Sequence, residues 1–435
     1  MAGHETLRTA RDRLRSPGTT SVLVGSALAG LGAYVFQVIG TRALGDEAYA
    51  PIGVLWTIQY LALTVALVSV EAYLTRTITV AGDEPATVRR TTLALSGWVA
   101  AVAGLVGVGA WVWRAPLFHG AGDDLPLVAA LTVLGYGLLV LVRGHLAGRG
   151  RFEAYGVATG AESLLRLAAA LPVALLIATT GSLAWTLPLG TFAVALWWVV
   201  AGRRTPSTRA RDSAADPPPA SATGALPGRS TGGYLAATTT ANAASQTLLA
   251  GGPLVLVPLG AGPAEISVFF ITITAARVPL VFAFGGVLSR VLPALTRAAR
   301  AGQLQRLRRL AVGIAATAVV VALAGSAAGV WVGPQVVAFF FGEPFTPPGW
   351  FVALTVAGIT LATAALGLNQ ILIAMGAELR LVAPWLAGLL TGAVTVLLVQ
   401  GTPTWRVATA FLVGEVIALS GLLIALLSAR RRLAA

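Results

Sequence analysis

The stretch GAESLLRLAAAL, residues 160–171, places Glu162 and Arg166 four residues apart inside a long apolar run. On a helix that spacing puts both on one face, acid on the N-terminal side, so they can pair within one element. Arg277 stands about halfway along another apolar run, in ITITAARVPLVF, and Glu415 lies within FLVGEVIAL. A guanidinium keeps its charge and presents several donors in a fixed fork, which suits a phosphate or a carboxylate. A carboxylate in such a setting takes a proton or a cation, or pairs with a base such as Arg406. Glu71, with Arg76 about one turn further on, has the spacing of a gating ion pair or of a solvated helix end. Gln37, Asn242 and Gln246 add hydrogen-bonding groups that serve either a hydroxyl-bearing solute or helix–helix contacts. Arg42 fits either the rim of a binding cavity or an interfacial anchor.

The elements that must carry these residues are apolar helices. The 435-residue chain is 56% hydrophobic and 11% charged, less than half the charged fraction of about 25% usual in soluble proteins. Apolar runs of about 20 residues recur along its length, each enough to cross a hydrocarbon core of about 30 Å as a helix. The short alternating segments of a membrane β-barrel are absent. A polytopic all-α membrane protein with twelve spans is therefore expected. With no cysteine, a thiolate metal site or disulfide frame is excluded, and His4, His119 and His145 are too few and too scattered to suggest a metal centre. All 30 basic residues are arginine, so no Gly-Lys-Ser/Thr phosphate loop exists. Neither a cofactor nor ATP hydrolysis is implied.

The net charge of +13 reports topology rather than nucleic-acid binding. Arg42, Arg114 and Arg406 fall on one side of the expected spans, and Arg166 and Arg277 inside them. The other arginines share the side of the termini, which the positive-inside rule makes cytoplasmic. A bacterial cytoplasmic membrane is the expected location. The chain is expected to divide into a basic N-terminal segment 1–18, a first six-helix bundle 19–201, a Pro/Ser/Gly/Arg-rich linker 202–233, a second six-helix bundle 234–428 and a basic tail 429–435. In the first segment, Arg8, Arg11 and Arg15 share a helical face that could rest on anionic inner-leaflet lipids. ALGDEAYAPIGVL and PLGAGPAEISVFF occupy matching places after spans one and seven. PLFHGAGDD and AFFFGEPFTPPGW do so before spans four and ten, and HLAGRGRFEAYGV and ILIAMGAELRLVA before spans five and eleven. This order reads as a parallel repeat of six spans, a known transporter architecture. Pro253, Pro258, Pro279 and Pro384 are candidate kinks.

The stretches TRALGDEAYAPIG, LVRGHLAGRGRFEAYGVATGAESLLRLAAAL and FFGEPFTPPGWFVALTVAGITLATAALGLNQILIAMG carry a resemblance to the multidrug/oligosaccharidyl-lipid/polysaccharide (MOP) flippase superfamily. They look most like its polysaccharide, O-antigen-type branch. The resemblance covers the chain outside its tails and linker. It implies two six-helix bundles around a basic cavity and alternating access that moves a polyprenyl-pyrophosphate-linked oligosaccharide across the membrane for surface polysaccharide, including lipopolysaccharide, assembly. The implied partners are that lipid-linked oligosaccharide and polysaccharide-assembly proteins.

On this reading Arg277 meets the pyrophosphate, or pairs with a carboxylate elsewhere in the fold. Glu162 and Arg166 line the cavity wall or form a structural pair. Gln37, Asn242, Gln246 and Arg42 contribute to the cavity, and Glu71, Arg76 and Glu415 to gating or ion coupling. The alternatives on the same fold are a MATE-like cation-coupled drug antiporter and a peptidoglycan-precursor flippase. An enzyme, such as a membrane glycosyltransferase or polymerase, is disfavoured because the acids outside the spans are scattered with no acid–base pair.

Overall fold

A computed structural model of the chain describes residues 17–81, 84–201, 231–278, 295–299 and 301–429. The basic segment before Pro17, nearly all of the linker, Pro279 and the last six residues lie outside these. The described residues form helices joined by short turns, with no strand among them. Nine helices among them are long and apolar enough to cross a membrane. The chain divides into two compact units, Met1–Pro218 and Pro219–Ala435.

The first unit opens with α1 (Pro17–Leu61), which is two helices meeting at Gly45. Gly45 has φ 78° and ψ 178°, a backbone open only to glycine, so the chain turns back there. A π-turn over Ala62–Leu67 leads into α2 (Val68–Ala81). There follow α3 (Pro85–Val112), the short α4 (Arg114–Phe118), α5 (Leu125–Gly148), α6 (Phe152–Leu176) and α7 (Thr180–Ala201). The main packing partners are α1 with α6, α3 with α5, and α7 with both α5 and α6.

Small residues set the α1–α6 distance. A Cβ on Gly25 would strike the Gly156 backbone, and one on Gly156 would strike the Ser21 backbone. The two backbones therefore touch, the device by which membrane helices gain packing that lipid cannot supply. Ser21 donates to the Glu153 carbonyl (2.9 Å) and Ser163 to the Ala29 carbonyl (3.2 Å), fixing the register of the pair.

The second unit runs α8 (Thr231–Ala250), α9 (Gly252–Leu256), α10 (Pro263–Ala276), α11 (Leu304–Phe341), α12 (Gly349–Ala374), α13 (Val382–Leu398) and α14 (Pro403–Leu427). On α11, Ala311, Ala315, Ala318 and Ala322 are buried at helical spacing while Val320 and Leu323 are 65% and 70% exposed. Large residues face outward and small ones inward because hydrocarbon surrounds the unit and close approach, not apolar burial, holds it. Pro384, expected as a kink, sits in the first turn of α13, where its missing N–H interrupts no bond. Pro334 lies inside α11, where the sequence analysis did not place a break.

Gly156→Val should separate α1 from α6 and cost about 1–3 kcal/mol, the usual penalty for overpacking. Thermal unfolding of the detergent-solubilised variant measures this, and a Tm equal to that of the unmodified protein would rule out the close α1–α6 contact.

Candidate functional site

In the first unit the opening pair is real and buried. Glu162 is 4% and Arg166 2% exposed, and Arg166 Nη1 lies 3.2 Å from Glu162 Oε1. Tyr136 of α5 joins them, its hydroxyl donating to Glu162 Oε1 at 3.1 Å and accepting from Arg166 Nη1 at 2.7 Å. Arg166 Nη2 donates to Ser163 at 3.3 Å. The guanidinium lies 4.7 Å from the Trp56 ring centroid and 5.9 Å from that of Phe36, both on α1, a cation–π setting. The pair thus joins α5, α6 and α1, and its charge is answered inside the unit, as burial of an ion pair requires.

A second Glu–Tyr–Arg cluster lies two turns along the same two helices. Arg143 Nη2 is 3.0 Å from Glu71 Oε2. Tyr155 donates to Glu71 Oε1 at 2.8 Å and accepts from Arg143 Nε and Nη2 at 3.0 and 2.6 Å. Of the two readings open for Glu71 and Arg76, a gating pair or a solvated helix end, neither names this partner: Arg76 is exposed and Glu71 turns to Arg143. Gln37, 2% exposed, accepts from Tyr49 across the Gly45 break, so it ties the two arms of α1 together. Arg42 is exposed, just before that break.

In the second unit the α8–α9 junction breaks at Gly251, and Pro253 follows. Proline has no N–H, so the carbonyl four residues earlier, that of Leu249, loses its partner in the helical ladder. Arg277, at the C-cap of α10, donates to that carbonyl through Nη2. A cation at a helix C-terminus also opposes the negative end of the helix dipole. Glu415, in the middle of α14, is 0% exposed, and neither carboxylate oxygen has a hydrogen-bond partner among the described residues. Among the described residues, Arg277 is the charged group within electrostatic reach of it. The other base considered for Glu415, Arg406, instead donates to the Val396 carbonyl at 2.9 Å from Nε and 2.7 Å from Nη2. Asn242 is partly buried and Gln246 8% exposed, one turn apart on α8.

Tyr136, Tyr155, Arg143, Trp56 and the Leu249 carbonyl did not emerge from the sequence. A signal existed: Tyr136 and Arg143 are seven apart on α5, and Tyr155, Glu162 and Arg166 fall at i, i+7 and i+11 on α6, each set on one helical face. Among the described residues no group of three or more His, Cys, Asp or Glu could hold a metal ion.

No family model and no curated protein matches the chain. Solved structures do. The inward-facing conformation of a multidrug resistance MATE family transporter of the MOP superfamily is similar at 14% identity and TM-score 0.62, over 93% of this chain and 94% of that one. A MATE mutant crystal structure matches at 16% identity and TM-score 0.54, over 95% and 96%. The Vibrio cholerae MATE transporter VcmN in its bent form matches at 14% identity and TM-score 0.52, over 96% and 97%. The chain therefore has an all-α, multi-pass membrane fold like that of these MATE structures.

These likenesses correct the branch expected from sequence. The matched structures are MATE transporters, so the O-antigen-type flippase reading falls, with its lipid-linked oligosaccharide and polysaccharide-assembly partners. Two of the stretches that suggested that branch contain the Gly45 break and the Gly342 turn, and the third runs from the end of α5 into α6. Turns and helix junctions are demanded by the fold and are shared by any branch that adopts it. Arg277 donates to the protein's own Leu249 carbonyl.

Removing one partner of the first-unit pair should be far worse than removing both. Arg166→Met is expected to cost about 3–5 kcal/mol by stranding a buried carboxylate, and Glu162→Gln/Arg166→Met to regain most of the lost folded yield. Size-exclusion profiles of the three proteins report it, and a double variant no better folded than the single would exclude the pairing as the cause.

Proposed function

We propose that the protein is a MATE-like secondary transporter that moves a small amphipathic cation out of a bacterial cell in exchange for an inward-moving proton or metal cation. On this reading it has twelve spans as two six-helix bundles joined by the 202–233 linker, with both termini on the arginine-rich cytoplasmic side. The likeness to multidrug MATE structures across more than nine-tenths of the chain supports the transporter class. The single observation that carries the coupling is Glu415: a carboxylate wholly buried in a membrane helix with no hydrogen bond among the described residues.

An ionised carboxylate in hydrocarbon demands a compensating positive charge. For Glu415 that charge is a proton, a bound cation or Arg277. When the proton or ion leaves, the bare carboxylate draws on Arg277, whose hydrogen bond to the Leu249 carbonyl then weakens. That carbonyl sits where α8 breaks before Pro253, so occupancy of Glu415 acts on a helix already lacking one rung of its ladder. Exchange of substrate for the coupling ion follows if the two bind alternate states of this bundle. On this reading Asn242 and Gln246, on α8, contribute hydrogen bonds to the solute.

Proteoliposomes carrying the protein should accumulate ethidium when a proton or sodium gradient is imposed. Glu415→Gln should lose that gradient dependence while still binding ethidium. Failure of the unmodified protein to move ethidium or tetraphenylphosphonium under either gradient would refute the transport class, and full gradient dependence in Glu415→Gln would refute the coupling role.

A further inference from the structure

The helix that follows the Gly45 break does not run regularly into α2. Over Ala62–Leu67 its ladder widens, and the Val68 N–H donates to the Leu63 carbonyl, five residues back instead of four. Sharp bends in helices fall at π-turns of this kind, which also gather at functional sites. The carbonyls around this one draw donors from side chains. Thr64 donates to the Tyr60 carbonyl at 2.8 Å, and the Trp98 indole of α3 donates to that of Ala66 at 3.4 Å.

The two sides of the turn are held in different ways. Before it, the arm 46–61 is enclosed. Tyr49, Ala50, Ile52 and Val54 are fully buried, Tyr49 donates to Gln37, and Thr180 donates to the Ala48 carbonyl at 2.7 Å. Beyond it, α2 rests on α5 through Leu74 and Ile78, which lie over Gly144 and Gly148. Glycine has no side chain to interlock with a neighbour, and the bond from Thr75 to the Gly144 carbonyl is long at 3.4 Å.

The firm polar tie on α2 is Glu71. It meets Arg143 of α5 at 3.0 Å and accepts from the Tyr155 hydroxyl of α6 at 2.8 Å. The Glu71 and Arg143 side chains are 19% and 22% exposed, against 5% and 2% for Glu162 and Arg166. Breaking a sealed pair strands a charge in the interior. A partly open pair costs far less to release, because its long side chains can carry their charges to water or headgroups. Arg143 lies near the end of α5 and Tyr155 in the first turn of α6, within reach of such a surface.

We infer that the π-turn is a joint and that Glu71, Tyr155 and Arg143 form its latch. With the latch closed, as in this structure, α2 lies against α5. With it open, α2 tilts about Ala62–Leu67 while the arm 46–61 keeps its place. The device lies wholly within the first unit and does not depend on the transport reading above, since it is read without substrate or gradient.

The chain has no cysteine, so pairs of spin labels can be placed in the full-length protein, in nanodiscs, and their separation read by double electron–electron resonance. One pair is Thr79→Cys with Val157→Cys, both exposed, on α2 and α6. Thr79 stands about 18 Å beyond Leu67 at about 1.5 Å per residue, so a bend of about 20° shifts its label by about 6 Å. The latched protein should give one narrow distance, and Glu71→Gln should add a second population shifted by about that amount. A second pair, Glu47→Cys with Val157→Cys, places its first label before the joint and should keep its distance in Glu71→Gln. Deleting Val65 removes the extra residue of the turn and should return the first pair to a single distance even with Glu71→Gln, which general loosening of the fold would not do. An unchanged first pair in Glu71→Gln would overturn the latch. An equal shift of both pairs, or a second population that survives the deletion, would overturn the joint.

Discussion

Hydrocarbon can neither solvate a charge nor supply the partner of an open carbonyl. Each polar group that the helices carry into the membrane must be answered from inside the protein, and the described interior is organised by that demand. Arg166 is surrounded by Glu162, Tyr136, Ser163 and the Trp56 ring. The Leu249 carbonyl, deprived of its ladder bond by Pro253, is answered by Arg277. Where nothing polar intrudes, alanine and glycine bring helices together and the large side chains turn outward, as on α11 and at the Gly25–Gly156 contact. Sequence chooses the intruding groups, and packing then has to provide for them.

Glu415 departs from this pattern. It is as buried as Glu162, yet no tyrosine, serine or backbone N–H among the described residues reaches it. The two acids therefore differ in what they can do. Glu162 is held by Arg166 on its own helix and by Tyr136 of α5. Among the described residues Glu415 has only the field of Arg277, a group that also donates to the Leu249 carbonyl. A carboxylate with no hydrogen-bond partner is the better candidate to exchange an ion than one held by two. Under the transport reading proposed above, that contrast is what singles out Glu415 for coupling.

Local features were legible in the sequence. The i, i+4 spacing of Glu162 and Arg166 predicts their pairing because a helix brings such residues together whatever surrounds it. The membrane class was legible too, because a span needs about 20 apolar residues and little else. Contacts between helices were not. Glu71 and Arg143 are 72 residues apart, and nothing in the spacing of either favours the other over Arg76. The contact of Arg277 with the Leu249 carbonyl was not legible either, because that orphaned carbonyl belongs to another helix and is invisible as a residue type. The branch within the superfamily was misjudged for a related reason. Glycine turns and apolar helices are required by the architecture itself, so their likeness carries the fold and not the cargo.

The coupling assigned to Glu415 is tested most directly by counting protons. Purified protein in weakly buffered detergent is mixed with saturating tetraphenylphosphonium, and the pH change is converted to protons released per cation bound. If binding of the cation and occupancy of Glu415 are linked, the unmodified protein releases about one proton and Glu415→Gln releases none. Equal release from both proteins would contradict the role of Glu415, and equal absence of release from both, with sodium likewise not displaced, would contradict exchange at this site.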